Sequence, residues 1–183
     1  KVKILLPKNI LSVTMGNDVN PNNDINIKNL KMVVEEEINY LKIGLFDEKY
    51  LLEHQIILKK INFKKTKPIC VMFADQRFDL NNIEKLIDIG YQGIMIDTCY
   101  KNSKSIVDLL SQKEIKDFLK RVKARGMVCG LSGSLKLEHI LMLRELKPDF
   151  LGFRGQLCDP LKARHKFNVN LAKEVSKKIK LGS

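Results

Sequence analysis

The chain has 183 residues, 44% of them hydrophobic, and sets 33 Lys and Arg against 21 Asp and Glu for a net charge of +12. That length suits one domain with a real core. No run approaches the ~20 apolar residues of a membrane span and no signal peptide opens the chain, so a soluble, cytoplasmic protein without a membrane partner is expected.

The positive balance draws anions, whether phosphorylated metabolites, nucleic acid or an acidic surface. Much of it falls at helical spacing, as in Lys113, Lys116, Lys120 and Lys123, which is the pattern of a solvated helix face. No basic stretch is interleaved with aromatics, so no nucleic-acid partner is expected. Cys70, Cys99, Cys129 and Cys158 form no C-x-x-C pair and have no His at ligand spacing, which predicts reduced thiols and no metal. Most of them follow or end apolar runs and are expected to serve as small core hydrophobes. The chain opens at Lys1 without a Met and closes on Gly182-Ser183, as a fragment of a longer product would.

In chain order, Ile4 to Leu6 end an element that Pro7 breaks, and Ile10–Met15 reads as a strand. The polar loop Gly16–Asp24 is expected to be a lid or a flexible spacer. A helix over Ile27–Glu37 leads to the strand Tyr40–Leu45, whose Lys42 interrupts an apolar run. An inward-facing lysine there is costly without a partner, which points to function. An amphipathic helix over Glu48–Lys65 precedes the strand Pro68–Ala74, which ends at Asp75 with Arg77 just beyond. A short helix over Asn81–Ile89 closes at Gly90.

The strand Gly93–Thr98 is apolar on both faces and runs into Asp97, with Lys101 four residues later. A long helix is predicted over Ser103–Arg125, then a strand over Met127–Leu131 running into Ser132-Gly133-Ser134. The helix Lys136–Leu146, the strand Phe150–Phe153, the turn Arg154-Gly155-Gln156, a basic loop over Leu161–Lys166 and a last helix over Val169–Lys180 complete the chain. Six strands alternating with six helices call for a parallel sheet with helices outside, in one α/β domain over residues 1–183.

In such folds the groups at strand C-termini face the ligand. Asp97 and Lys101 therefore stand where a substrate would sit, or else Asp97 caps the helix near Ser103 and Lys101 is merely solvated. Gly133, Ser134, Arg154 and Gly155 mark the last two strand-to-helix junctions, where bare backbone N–H groups and a guanidinium can hold a phosphate. Two ordinary tight turns would look the same. Lysines at strand ends beside a carboxylate suit imine chemistry, in which an amine of lowered pKa condenses with a carbonyl. Lys42 and Lys101, on strands expected to be neighbours or next neighbours, would lower each other's pKa, and Asp97 would move the proton. The substrate expected is a small phosphorylated carbonyl compound.

The stretches Tyr40–Leu45, Phe73-Ala74-Asp75, Met95–Lys101, Ser111–Ile115, Leu131–Ile140 and Gly152–Gly155 resemble the (5-formylfuran-3-yl)methyl phosphate synthase family in order and spacing, from about Lys8 onward. The resemblance implies a (βα)8 TIM-type barrel that joins two glyceraldehyde 3-phosphate molecules, losing water and phosphate, to make the furan precursor of methanofuran. It implies a lyase working through a lysine Schiff base without a cofactor. Lys42 matches a strand-four lysine taken as proton acceptor, and Asp97 and Lys101 match the strand-six acid and lysine, with Asp75 a secondary candidate. The family's Schiff-base lysine lies in an Asp-x-Lys pattern on the second strand, and this chain is read as holding no such pattern anywhere. The six strands are thus expected to be strands three to eight, with two βα units absent, and exposed sheet edges would favour a homo-oligomer. A different class I aldolase and a catalytically incomplete barrel acting in binding or scaffolding are the alternatives.

Overall fold

The apolar runs of the sequence become strands and the amphipathic stretches pack beside them. A computed structural model describes residues 2–5, 7–76, 79–100, 104–158 and 166–180. The chain falls into two compact units, Lys1–Met72 with Asp79–Met95, and Phe73–Phe78 with Ile96–Ser183.

The first unit holds α1 (Val2–Leu5), β1 (Ser12–Thr14), α2 (Asp24–Glu35), β2 (Tyr40–Gly44), α3 (Leu51–Lys60), β3 (Lys67–Phe73) as far as Met72, α4 (Asn82–Asp88) and the start of β4 (Gly93–Asp97). Its strands follow in the order β1, β2, β3, β4. The first three are parallel, with Val13 opposite Leu41 and Lys42 opposite Ile69. In β2, Leu41 and Ile43 are buried while Tyr40 and Lys42 are half-buried, the period-two alternation of a strand with one sealed face. Leu30 and Val34 of α2, Ile57 of α3, and Ile83 and Leu86 of α4 supply buried apolar side chains on the helices.

Two expectations change here. The predicted helix over Glu48–Lys65 is a 3₁₀ turn, Glu48–Tyr50, followed by α3, which ends at Lys60 because Ile61 is extended. The loop Gly16–Asp24 is pinned by its own amides. Asn20 N–H donates to Asp18 Oδ1 at 3.1 Å and Asn22 N–H to Asn20 Oδ1 at 2.9 Å, while Asn23 caps α2 by accepting from Asn26 N–H at 2.8 Å. Buried Asn26 in turn donates to Asn20 O at 2.9 Å. Short polar side chains that bond the backbone two or three residues away organise a loop that composition alone reads as a spacer.

The second unit holds the segment Phe73–Phe78, the end of β4, α5 (Ile106–Leu109), α6 (Gln112–Ala124), β5 (Val128–Leu131), α7 (Ile140–Glu145), β6 (Phe150–Leu151) and α8 (Val169–Lys180). Its strands follow in the order β4, β5, β6, and β5 and β6 are parallel, with Leu131 opposite Leu151. Ile115, Phe118, Leu119 and Val122 form the buried stripe of α6, at most 3% exposed, while Lys113, Lys116, Lys120 and Lys123 are exposed as a solvated face.

The long helix predicted over Ser103–Arg125 is two helices. Ser105 with Asp108 and Ser111 with Glu114 each form a capping box, so the same start signal recurs less than two helical turns later, and Leu110 between them is extended. Residues 101–103, including that helix's predicted start, lie outside the described residues. The strand predicted over Phe150–Phe153 is two residues long, with Gly152 N–H still donating to Leu131 O just past its end.

At the N-terminal ends of strands, side chains tie neighbouring elements. Asn39 Oδ1 accepts from Leu11 N–H at 2.8 Å in the first unit, and Asp149 Oδ2 accepts from Cys129 N–H at 2.7 Å in the second. Cys70, Cys129 and Cys158 are buried as expected, and burial pushes the Cys129 thiol up to about 12.

Candidate active site at the strand tips

Each unit carries its own set of strand C-termini. In the first, Lys42 lies in β2 between β1 and β3, and its carbonyl accepts from Met15 N–H at 3.0 Å. It is half-buried rather than sealed. Beyond it the tips of β1 and β2 meet the amide-pinned loop around a small concavity of about 10 Å³, room for about one water, lined in part by Met15, Gly16, Pro21, Asn26 and Gly44.

An Asp-x-Lys does occur in the chain, at Asp47-Glu48-Lys49 just after β2. Its geometry is that of a helix start. Asp47 Oδ1 accepts from Lys49 N–H at 3.0 Å, and Lys49 Nζ sits 2.9 Å from Asp47 Oδ2 with both side chains largely in solvent. Those hydrogen bonds hold the Asp47 carboxyl below the usual range and the Lys49 amine above its own, the opposite of what imine formation needs.

In the second unit the tip of β4 is the most fully braced element of the candidate site. Ile94, Met95 and Ile96 are at most 2% exposed, and the strand delivers Asp97 half-buried at its end. Asp97 Oδ1 accepts from Thr98 N–H at 2.7 Å, and its carbonyl accepts from Ala74 N–H at 2.9 Å. The capping role weighed against Asp97 falls to other residues, since Ser105 and Asp108 begin the next helix. Asp75 does not point away as a free carboxylate. Its Oδ1 accepts from Cys99 N–H at 2.7 Å and its Oδ2 from Tyr100 N–H at 2.6 Å. Lys101 and Arg77 lie outside the described residues.

The phosphate candidates occupy adjacent tips in the same unit. Ser132 N–H donates to Ile96 O at 2.8 Å, and Gly152 N–H donates to Leu131 O at 2.9 Å, which sets the tips of β4, β5 and β6 side by side. Gly133 and Ser134 both take positive φ, +102° and +50°, a conformation that glycine tolerates and serine adopts at a cost. A Cβ on Gly152 would sit 2.8 Å from Ser132 Cβ. Neither turn opens directly into an α-helix, in contrast to the sequence expectation. A 3₁₀ turn over Leu137–His139 precedes α7, and Arg154 with Gly155 starts a 3₁₀ turn, Gly155–Leu157, well ahead of α8. What these tips offer an anion is the backbone curvature at Gly133-Ser134 and the exposed Arg154, with little from a helix dipole.

Sequence reasoning placed Ser132 in the Ser132-Gly133-Ser134 turn without singling it out, and the structure leaves it 7% exposed between the β4 and β6 tips; the backbone-binding job of Asp75 was missed. The signal for Ser132 was present in the small residues Ser132, Gly133 and Gly152 at successive strand ends. Among the described residues no cluster of three or more His, Cys, Asp or Glu could hold a metal, and no helix is long and apolar enough to cross a membrane.

The sequence profile of the 4-HFC-P synthase family matches residues 1–176. The chain belongs to that family. It is 28% identical over 170 residues to a (5-formylfuran-3-yl)methyl phosphate synthase of Methanococcus aeolicus, covering 86% of this chain and 72% of that one. With the protein of the same name from Methanocaldococcus jannaschii it is 27% identical, covering 78% of this chain and 64% of that one. The alignment with the Methanococcus maripaludis C7 synthase is 30% identical over 66% of this chain and 56% of the relative, so it spans little more than half of that relative. The relatives of this 4-HFC-P synthase family member are named as synthases, which supports an enzyme. Among solved structures it is similar to KGPDC from Streptococcus mutans (TM-score 0.64, 11% identical, 98% of this chain and 77% of that one). It is also similar to 3-keto-L-gulonate-6-phosphate decarboxylase from Vibrio cholerae (TM-score 0.61, 11% identical, 97% and 75%). At that identity the likeness is one of fold, parallel strands alternating with helices.

Proposed function

We propose that this chain carries the greater part of a synthase that condenses two glyceraldehyde 3-phosphate molecules into (5-formylfuran-3-yl)methyl phosphate, with loss of water and phosphate. The observation that carries the reading is the family match over residues 1–176. In this reading the six strands are strands three to eight of one (βα)8 barrel domain, and the enzyme acts in the cytoplasm as a homo-oligomer without a cofactor.

The chemistry asks for an amine to form an imine with the aldehyde, a base to take a carbon-bound proton, and an acid to assist loss of water. Asp97 is the acid, at the end of a buried strand where its carboxylate and its carbonyl each accept a backbone hydrogen bond. Lys42 is the proton acceptor and Lys101 the second amine of the site. Gly133, Ser134, Arg154 and Gly155 hold a substrate phosphate. The support for that last assignment is the positive-φ turn at Gly133-Ser134 next to the β6 tip in one unit.

Borohydride reduction of the full-length protein in the presence of glyceraldehyde 3-phosphate tests the imine. A stable adduct on a lysine is expected, and its mapping by peptide mass identifies the amine. Absence of any adduct on folded protein at every pH between about 6 and 9, the range in which a lysine amine tuned by burial reacts, would remove the mechanism.

A further inference from the structure

We propose that Asp75 is a positioning residue for this reaction, holding through two backbone hydrogen bonds the strand tip that presents Asp97. The role of Asp97 rests on the functional reading above, while the clamp itself rests on geometry within the second unit.

Asp75 stands two residues beyond β3, half-buried. Its two carboxylate oxygens are divided between successive N–H groups, Cys99 at 2.7 Å and Tyr100 at 2.6 Å. The preceding residue adds a third tie, Ala74 N–H to Asp97 O at 2.9 Å. Two consecutive residues of one segment thus grip three of the four positions from Asp97 to Tyr100. From the β5 side Ser132 N–H holds Ile96 O at 2.8 Å, and Gly133 comes so close that a Cβ there would lie 2.9 Å from Thr98 N. The β4 tip is therefore seated between a charged clamp and a bare glycine.

Hydrogen bonds to an ionised acceptor are about twice as strong as neutral ones, and a carboxylate using both oxygens fixes direction as well as distance. With both oxygens turned onto the chain, Asp75 serves the site through Asp97. An asparagine at this position would offer one acceptor and one NH2, setting a donor against a backbone donor. The tip would then shift rather than merely loosen, and a displacement of about 1 Å at a reacting group can cost ~10²-fold in rate.

The test uses full-length protein and two readouts. Hydrogen exchange in the wild type should show the Cys99 and Tyr100 amides protected, and D75N should release at least one of them. Turnover of glyceraldehyde 3-phosphate by D75N should fall about 10- to 100-fold in kcat with KM changed less than about threefold, since the loss is one of positioning. In a D97N background D75N should cost less than about threefold more, because the clamp then has nothing to position. Wild-type amides of Cys99 and Tyr100 that exchange as fast as open loops would overturn the clamp, even if D75N failed to fold. A kcat for D75N within twofold of wild type, or a loss that multiplies fully in the D97N background, would overturn the link to Asp97. A wild type making no furan product would instead refute the functional reading, with the exchange result still deciding the clamp.

Discussion

Replacing Gly133 with alanine tests the close seating of the β4 tip against β5. Gly133 has φ +102°, a conformation closed to side chains, and an added Cβ would lie 2.7 Å from Ile106 Cγ2 and 2.9 Å from both Thr98 Cγ2 and Thr98 N. The backbone term is about 1–2 kcal/mol for an L-residue forced into left-handed space. Contacts with one backbone atom and two buried residues add about 1–3 kcal/mol of overpacking, because little around the site can give way. The total is about 2–5 kcal/mol, a large fraction of the ~5–15 kcal/mol that holds a typical domain folded. Gly126 supplies the control, since it has φ +68° but nothing within 4 Å of an added Cβ. Gly126→Ala should therefore show the backbone term alone, about 1–2 kcal/mol. Urea unfolding of both variants separates the terms, and each kcal/mol should move Tm by about 2–4 °C in a chain of this size. If Gly133→Ala cost no more than Gly126→Ala with the same denaturant slope, the tip would not be packed against Gly133 as described.

Other outcomes follow from single residues. His54 is fully buried with Nδ1 2.5 Å from Tyr91 Oη, and burial pushes its pKa down to about 4, so the unfolded chain binds more protons than the folded one between pH 4 and 6.5. Stability should thus be complete above pH 6.5 and fall by up to about 3 kcal/mol as pH drops through that window, a slope that His54→Gln should flatten in pH-dependent urea titrations. Ile57→Ala empties a fully buried position on α3 and should cost about 2–5 kcal/mol by the same method. Ser105→Ala removes a buried helix-start hydroxyl that donates to Asp108 Oδ2 at 2.7 Å and should cost about 1 kcal/mol, read as a lowered Tm. Asp97→Asn should leave unfolding within about 1 kcal/mol of wild type while lowering kcat at least ~100-fold, and an active D97N would take the acid role from this residue.

The strand Gly93–Asp97 was legible because an unbroken apolar run ending in a carboxylate has few other readings, and the helix face of Lys113, Lys116, Lys120 and Lys123 because its period is unambiguous. The split between α5 and α6 was written twice in Ser105/Asp108 and Ser111/Glu114, but an apolar period running through both masked the second start. Asp75 stood out in the sequence as a possible reacting group. Its actual engagement, with N–H groups 24 and 25 residues away, depends on chain path and leaves no local mark. The same holds for His54 and Tyr91, which are 37 positions apart and meet inside the first unit. The order of the loop Gly16–Asp24 was not legible because its polarity reflects side chains bonding their own backbone, which composition cannot distinguish from side chains bonding water.

Product analysis is the most direct test of the functional account. Full-length protein incubated with glyceraldehyde 3-phosphate alone should release inorganic phosphate together with a furan aldehyde whose mass and spectrum match (5-formylfuran-3-yl)methyl phosphate, and D97N should yield both at least ~100-fold more slowly. Folded, full-length wild-type protein that leaves glyceraldehyde 3-phosphate unchanged, or converts it to a non-furan product, would contradict it.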